Sequence, residues 1–589
     1  MKPKSSLIAT LLVAAGAVAA LAGCSASEGQ PTPMTVSLER NTANRSFRVK
    51  WRTPEPVKAL VFGRSRGFRQ AFWKSAMSDL KLVQKGGYDV LEGAQPRSEF
   101  EVTIKEGFAD VPGHHPLMTP FSDGGILFFT GHLDVSPLNC LGDCPAETVS
   151  KAAQFPAPSK FIFVPSPGET VIASGLRDNR AFEVPSSPNG TLAYFGKQNA
   201  RKGIGYQIVA DPSLPEWIIA ETEDVLPQIL ELNARRLRIK LQETPIVFIP
   251  FMGDERRFNA TYSGSVIDNQ ILLALFGSEW NARTQETRAE YLKLMAHESF
   301  HLWNSSLFHS VEVPGGKWLH EGSADAFAYL ALLELGMITP NAYTDFHAQA
   351  VNRCMVGLSS GPLNAPKPES AQREFYDCGA VMQALLQRDL REAGEDLWAF
   401  WSELFDRAKG NDRFYTHESF FDLIREKLPS AISLSSIEKM AGGEVKGSTE
   451  SSESLENFFI SAFNEVGLNL RANEESWPRW YNRAVIGKAF SIVVQNDCGK
   501  DGFFSEIENA VRINGGNSCQ TLKGERDIST LGRYDIPNEG VGAYDAYYES
   551  CRDGSAVSAW NSTGNAVELP CAPLPHRPRL LEFSTLFGL

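Results

Sequence analysis

His297-Glu298-Ser299-Phe300-His301 reads H-E-x-x-H. Histidine is scarce in this chain, ten in 589 residues, so a pair four apart with a glutamate between them carries weight. On a helix, positions i and i+4 lie one turn apart on one face, and two imidazoles there can grip one metal ion. The glutamate projects beside that face, where it can take a proton from a water that the metal acidifies. The chemistry such a set serves is zinc-assisted hydrolysis. A hydrolytic zinc takes three protein ligands and keeps one position open. Glu321, within Trp318-Leu319-His320-Glu321-Gly322-Ser323-Ala324-Asp325, is the candidate third ligand. Asp325 lies one turn later on the same face and can hold the free ring nitrogen of a ligand histidine, fixing its tautomer. His320 competes with Glu321, but its neighbouring position turns it off that face, and it stays outside the set.

These residues need elements to aim them. Thr287 to Glu290 reads T-x-x-E, a capping box that predicts a helix start. Leu292, Met295, Ser299 and Leu302 then recur at helical spacing. Glu321 opens a second apolar helix through Phe327, Leu330, Leu333 and Leu335, stopped by Gly336. From about 340 to 480 the helical pattern dominates, as over Met382 to Leu404. Gly357-Leu358-Ser359-Ser360-Gly361 matches G-x-S-x-G, but a serine elbow needs a strand before it and a helix after it. Pro362, Asn364, Pro366 and Pro368 follow instead, so the segment reads as a loop.

The segments HESFHLWN and WLHEGSADAFAYLALLELG together resemble the gluzincin metallopeptidases, most specifically the glycyl aminopeptidase family, whose chains carry a catalytic domain and a PDZ domain. The resemblance is most specific over 250–335 and continues more weakly to about 430. The gap from His301 to Glu321 is one residue longer than in the broader zinc aminopeptidases, and a loop containing Pro314, Gly315 and Gly316 can absorb it. The resemblance implies one zinc ion per chain, held by His297, His301 and Glu321, with Glu298 as general base. It also implies a role for Tyr376, in Phe375-Tyr376-Asp377-Cys378-Gly379, which matches the family's Y-x-x-G segment. There the tyrosine hydroxyl donates to the oxyanion of the tetrahedral intermediate. Asp268, in Tyr262-Ser263-Gly264-Ser265-Val266-Ile267-Asp268, stands where related aminopeptidases carry a glutamate for the substrate amine. It is the candidate amine-binding group, or else a turn residue before the strand Ile271–Phe276.

The implied fold is multidomain. It has an N-terminal all-β domain (35–215), a thermolysin-like α/β zinc domain (216–345), a helical domain (346–482) and a C-terminal PDZ-like α+β domain (483–589). Short alternating runs such as Phe47-Arg48-Val49-Lys50-Trp51 and Phe161-Ile162-Phe163-Val164 agree with the first of these. Near the C-terminus, Val511-Arg512-Ile513-Asn514-Gly515-Gly516 reads as a strand and turn. A helix through Tyr544, Tyr547 and Tyr548 and two short strands follow, the order that ends a PDZ fold.

Residues 1–23 resemble a lipoprotein signal. Lys2 and Lys4 precede an apolar run, Leu7 to Ala20, and Leu21-Ala22-Gly23-Cys24 fits a bacterial lipobox. This predicts lipidation of Cys24, a tether over 24–34, and a cell-envelope location, with Ser25 compatible with the outer membrane. The eight other cysteines suit an oxidising compartment, and their clustering suggests Cys140–Cys144, Cys354–Cys378, Cys498–Cys519 and Cys551–Cys571. A net charge of −13 argues against a nucleic-acid partner. The expected partners are a peptide substrate and a membrane. The primary expectation is an aminopeptidase-like zinc peptidase. An endopeptidase of the same fold and an inactive peptidase-fold binding protein with a PDZ-like module stay open as alternatives.

Overall fold

The computed structural model describes residues 33–64, 67–108, 111, 115–140, 143–253, 261–311, 316–365, 372–447, 452–473, 476–499, 502–507, 510–553 and 557–584. The signal, lipobox and tether residues expected over 1–32, and Pro314 and Gly315, lie outside them. No helix among the described residues is long and apolar enough to cross a membrane.

Alternation builds the first part of the chain. Met34, Val36 and Leu38 point inward from one strand, and Phe47, Val49 and Trp51 from the next, paired antiparallel to it. These strands belong to an eight-stranded sheet that packs on a five-stranded one, with Phe128 and Phe195 of the second closing over Phe47 of the first. The outer face of the five-stranded sheet carries Leu127, Phe129, Leu192 and Tyr194, which pack against Phe248, Leu272 and Ala274 of the next sheet. The multidomain chain is therefore joined here by an apolar seam.

That next sheet carries the site. Gln207–Ala210, Ile246–Ile249 and Gln270–Phe276 run parallel, and Tyr262–Ile267 pairs antiparallel to the last of them as an edge strand. A 22-residue helix, Glu216–Leu237, makes the crossover between the first two. Strands at 201–210 thus belong to this sheet, although the sequence boundary falls at 215. The expected divide at 345 falls inside the helix Pro340–Leu358. One continuous core runs from Tyr206 through the helices to Leu581, because the helices after 345 bury their apolar faces on the helices that bear the site.

Several local expectations shift. The helix that bears H-E-x-x-H spans Gln285–His301 and is capped by Thr284, one turn before the expected box. Thr284 Oγ1 accepts from Thr287 N at 3.1 Å, and Thr287 Oγ1 accepts from Thr284 N at 3.0 Å. Glu290 is thereby freed from capping. The helical pattern over Met382 to Leu404 falls on the end of Arg373–Glu392 and the start of Leu397–Ala408. Gly394 takes φ +75 and Asp396 caps the second helix through Ala399 N, so the chain turns where the apolar spacing alone would continue. Ser359 follows the helix Pro340–Leu358 at its C-terminal end, which removes the strand that a serine elbow needs.

All four suggested cysteine pairs are bridged. Near the C-terminus, three strands over 503–528 form one sheet and four over 530–569 form another, with the helix Gly540–Arg552 between their segments. The helix Arg479–Cys498 runs through the expected boundary at 483. The last described strand, Leu580–Phe583, returns to pair with Leu470–Asn473, tying the end of the chain to the helical region.

Candidate metal centre

Two wide turns, of six and five residues, interrupt regular helix at this site. The H-E-x-x-H helix runs into one at Leu302–Leu307, and Trp318–Gly322 forms another directly before the helix Ser323–Glu334. Such π-type turns recur at functional sites because they re-aim side chains that 3.6-residue spacing would scatter. Here the second turn swings Glu321 toward the histidines. His297 Nε2 and His301 Nε2 lie 3.0 Å apart, and each is 3.4 Å from Glu321 Oε2.

The hydrogen-bond partners of the rings decide what those atoms want. His297 Nδ1 lies 2.7 Å from Asp325 Oδ1, an acceptor, so the ring hydrogen sits on Nδ1. His301 Nδ1 lies 2.8 Å from Asn304 Oδ1. The Asn304 amide nitrogen donates to His320 O at 2.9 Å and Ser323 Oγ at 3.1 Å, so its oxygen is the acceptor and His301 too carries its hydrogen on Nδ1. Both Nε2 atoms then present lone pairs toward one point, and an anionic oxygen joins them. The three atoms are placed to hold a metal ion. Three ligands at about 2.0–2.1 Å from a tetrahedral zinc would stand roughly 3.3 Å from one another, which matches the spacing found. Glu321 Oε2 has no other partner. The donor set fits zinc.

Buried carboxylates hold the set in place. Asp325 also receives Lys293 Nζ at 2.6 Å, one helical turn before His297. Burial opposes the charge on Asp325, but Lys293 and His297 hold its carboxyl well below the usual range. Burial opposes the charge on Glu321 as well, and the histidines around it outweigh that. Glu298 differs: burial dominates and raises it. Its Oε2 has no hydrogen-bond partner, and a Cβ placed on Gly264 of the edge strand would lie 2.1 Å from its Oε1. The glycine therefore leaves the space that the Glu298 carboxylate occupies.

Tyr376 lies over His297, ring centroids 5.7 Å apart and planes 22° from parallel. Burial, then the carboxylates of Glu321, Glu298 and Asp325, push its phenol well above the ordinary value. It is a neutral donor. A backbone crossing puts it there: a Cβ on Gly322 would meet Gly379 Cα at 2.2 Å, and one on Gly379 would meet Trp318 O at 2.2 Å. The glycine of Y-x-x-G is thus the contact that lets the Glu321 turn sit on the Tyr376 helix. Cys354–Cys378 clamps that helix to Pro340–Leu358.

Asp268 lies away from the histidines, in the turn after the edge strand, with φ +52. It accepts from Ser187 Oγ at 2.6 Å and Asn189 Nδ2 at 2.9 Å, both on the N-terminal β unit. Yet it lines the same cavity of about 780 Å³ as Glu321 and His320. Sequence reasoning missed Asn304, Lys293 and Gly264. The first two stand three after His301 and four before His297, so helical spacing was their signal. His320, set aside on its facing, stacks on His301 at 4.4 Å, and burial lowers it to about 4, so it is a neutral wall.

The sequence matches no protein-family model and no curated protein. Among solved structures, the fold is similar to that of an aminopeptidase N family protein from Idiomarina loihiensis. The TM-score is 0.58 at 11% identity, covering 94% of this chain and 98% of that one. The likeness establishes a shared architecture across nearly the whole length of both chains.

Proposed function

We propose that this chain is a zinc-dependent, aminopeptidase-like peptidase. The observation that carries the reading is the convergence of His297 Nε2, His301 Nε2 and Glu321 Oε2, with both ring hydrogens held on the far side, beside the unpartnered Glu298 carboxylate. A zinc ion held there would supply Lewis acidity, polarising a peptide carbonyl and making a water easier to deprotonate. Glu298 takes the proton of the attacking water and passes it to the leaving amine. Burial raises its pKa, which suits a group that takes up and returns a proton. Tyr376 donates its hydroxyl hydrogen to the developing oxyanion.

Asp268 is proposed as the anchor for the substrate amine, at the cavity end closed by Ser187 and Asn189. The unit over 483–589 is proposed as PDZ-like on its element order. Cys24 is proposed as the lipid attachment that ties the protein to the cell envelope; loss of labelled palmitate incorporation in Cys24→Ser tests that.

The decisive experiment pairs Glu298→Gln with a peptide digest. The variant is expected to bind zinc as the parent does, with hydrolysis reduced by about 10²–10⁴-fold. Parent protein that trims peptides from the N-terminus only while zinc is present supports the reading. Turnover retained in Glu298→Gln sinks the mechanism, and parent protein that cuts nothing favours the binding-protein alternative.

A further inference from the structure

A second cavity, about 660 Å³, opens at the Tyr262 end of the edge strand, opposite the Asp268 end. Nothing in the hydrolytic scheme uses it. It is strongly cationic in a chain of net charge −13. Arg353, Arg373, Arg479, Arg483 and Lys488 line it, from three helices. Its carboxylates are Glu290, Glu374 and Asp377. Among the described lining residues, five cations stand against three carboxylates.

The pairing inside is uneven. Lys488 is committed to Glu374 at 2.7 Å. Asp377 sits at looser distances, 3.9 Å from Arg353 and 3.7 Å from Arg373. Asp377 is buried, and that burial raises its pKa despite the two guanidinium groups. Arg353 rests over the Trp480 ring at 5.8 Å, which restrains it. Guanidinium groups held this way present forks that match a carboxylate.

Position makes this a substrate subsite and not a remote patch. Tyr262 and Gly264 lie on the same strand two residues apart, about 7 Å along it. Gly264 faces Glu298, and Asp377 follows Tyr376 directly. A peptide laid along the free strand edge, with its scissile bond opposite Glu298, reaches the cavity about two residues away. We infer that this cavity binds a peptide carboxylate, either an acidic side chain or the free C-terminus, about two residues from the bond cut. The inference deepens the peptidase reading and rests on it. It also gives the C-terminal part of the chain a role, since the helix Arg479–Cys498 supplies three of the five cations.

The test separates binding from turnover. Zinc-loaded Glu298→Gln protein is titrated calorimetrically with tetra-alanine amide, tetra-alanine free acid, and tetra-alanine amides carrying Glu or Gln at each position. The expectation is at least one carboxylate peptide bound about tenfold more tightly than its neutral partner. Tightening confined to the free acid identifies the C-terminus, and tightening at one scanned position identifies a side chain. Adding Arg373→Gln and Arg479→Gln together should shrink the ratio to near one, with the thermal melt checking that the fold persists. Equal affinities for acid and neutral peptides overturn the inference, as does a ratio that survives the double replacement. Parent protein assayed on the same peptides keeps the two readings apart. Discrimination in binding without any cleavage removes the peptidase reading, and cleavage without discrimination removes the subsite.

Discussion

Two imidazole nitrogens lie 3.0 Å apart, each ring braced through its Nδ1 and each Nε2 3.4 Å from Glu321 Oε2. The residues behind the rings therefore matter as much as the rings. Asp325→Asn keeps the shape of the acceptor but removes its charge. Zinc affinity should fall about 10–100-fold, read by competition with a chromophoric chelator. Unchanged affinity would show that Asp325 serves Lys293 alone. Gly264→Ala probes the other side of the site. The added methyl meets Glu298 Oε1, so kcat should drop by about two orders of magnitude while zinc content stays at one per chain. At this scale the sequence was most legible where chemistry is local. His297, Glu298 and His301 are set by a five-residue spacing. Glu321 and Asp325 follow from a second short segment. Asn304 had only its three-residue spacing from His301 as a signal, and the wide turn that sets its contact with His301 does not show in that spacing.

At the scale of elements, the site depends on the crossing of the Trp318–Gly322 turn and the helix Arg373–Glu392. Gly379→Ala drives a methyl against Trp318 O with backbone on both sides and no flexible side chain to yield. It should cost roughly 1–3 kcal/mol of stability and weaken zinc binding together, measured by thermal melts with and without metal. A second test concerns the helix Pro340–Leu358, which buries His347 among Tyr343 and Phe346. Burial lowers His347 to about 3. An unfolded chain takes up this proton below about 6.5 and the folded chain does not until about 3, so stability falls as pH drops through that window. Between pH 6.5 and 5 the loss from this group is on the order of 2 kcal/mol. His347→Leu should flatten the pH dependence of the melt over that range; an unchanged slope would mean the ring is protonated in the fold. Element types were largely readable, as in the helices around 297 and 327. Their ends were not, because Thr284, Gly394 and Asp396 decide them by single hydrogen bonds and one left-handed residue that apolar spacing does not register.

Across the whole molecule, elements from different parts of the chain share one core and line common cavities. The boundaries at 215, 345 and 483 fall after strands or inside helices that the core needs, since burial joins elements that sequence composition separates. What the arrangement implies for function is directional. At the Asp268 end, Arg64, His115 and Asn189 of the N-terminal β unit line the cavity that reaches Glu321, forming its wall on that side. Ser187 and Asn189 hold Asp268 in that wall by two hydrogen bonds. On the proposed peptidase reading, a wall that closes this end would limit how many residues precede the cut, as an exopeptidase requires. Replacing Pro188 and Asn189 by glycines removes one donor to Asp268 and loosens the loop. A fixed decapeptide digested by the parent should lose residues stepwise from its N-terminus, and the same peptide with the loop variant should also yield internal fragments, both followed by mass spectrometry. Internal fragments from the parent itself would mean that the wall does not block the cleft, and the endopeptidase alternative would then be the better description of the enzyme.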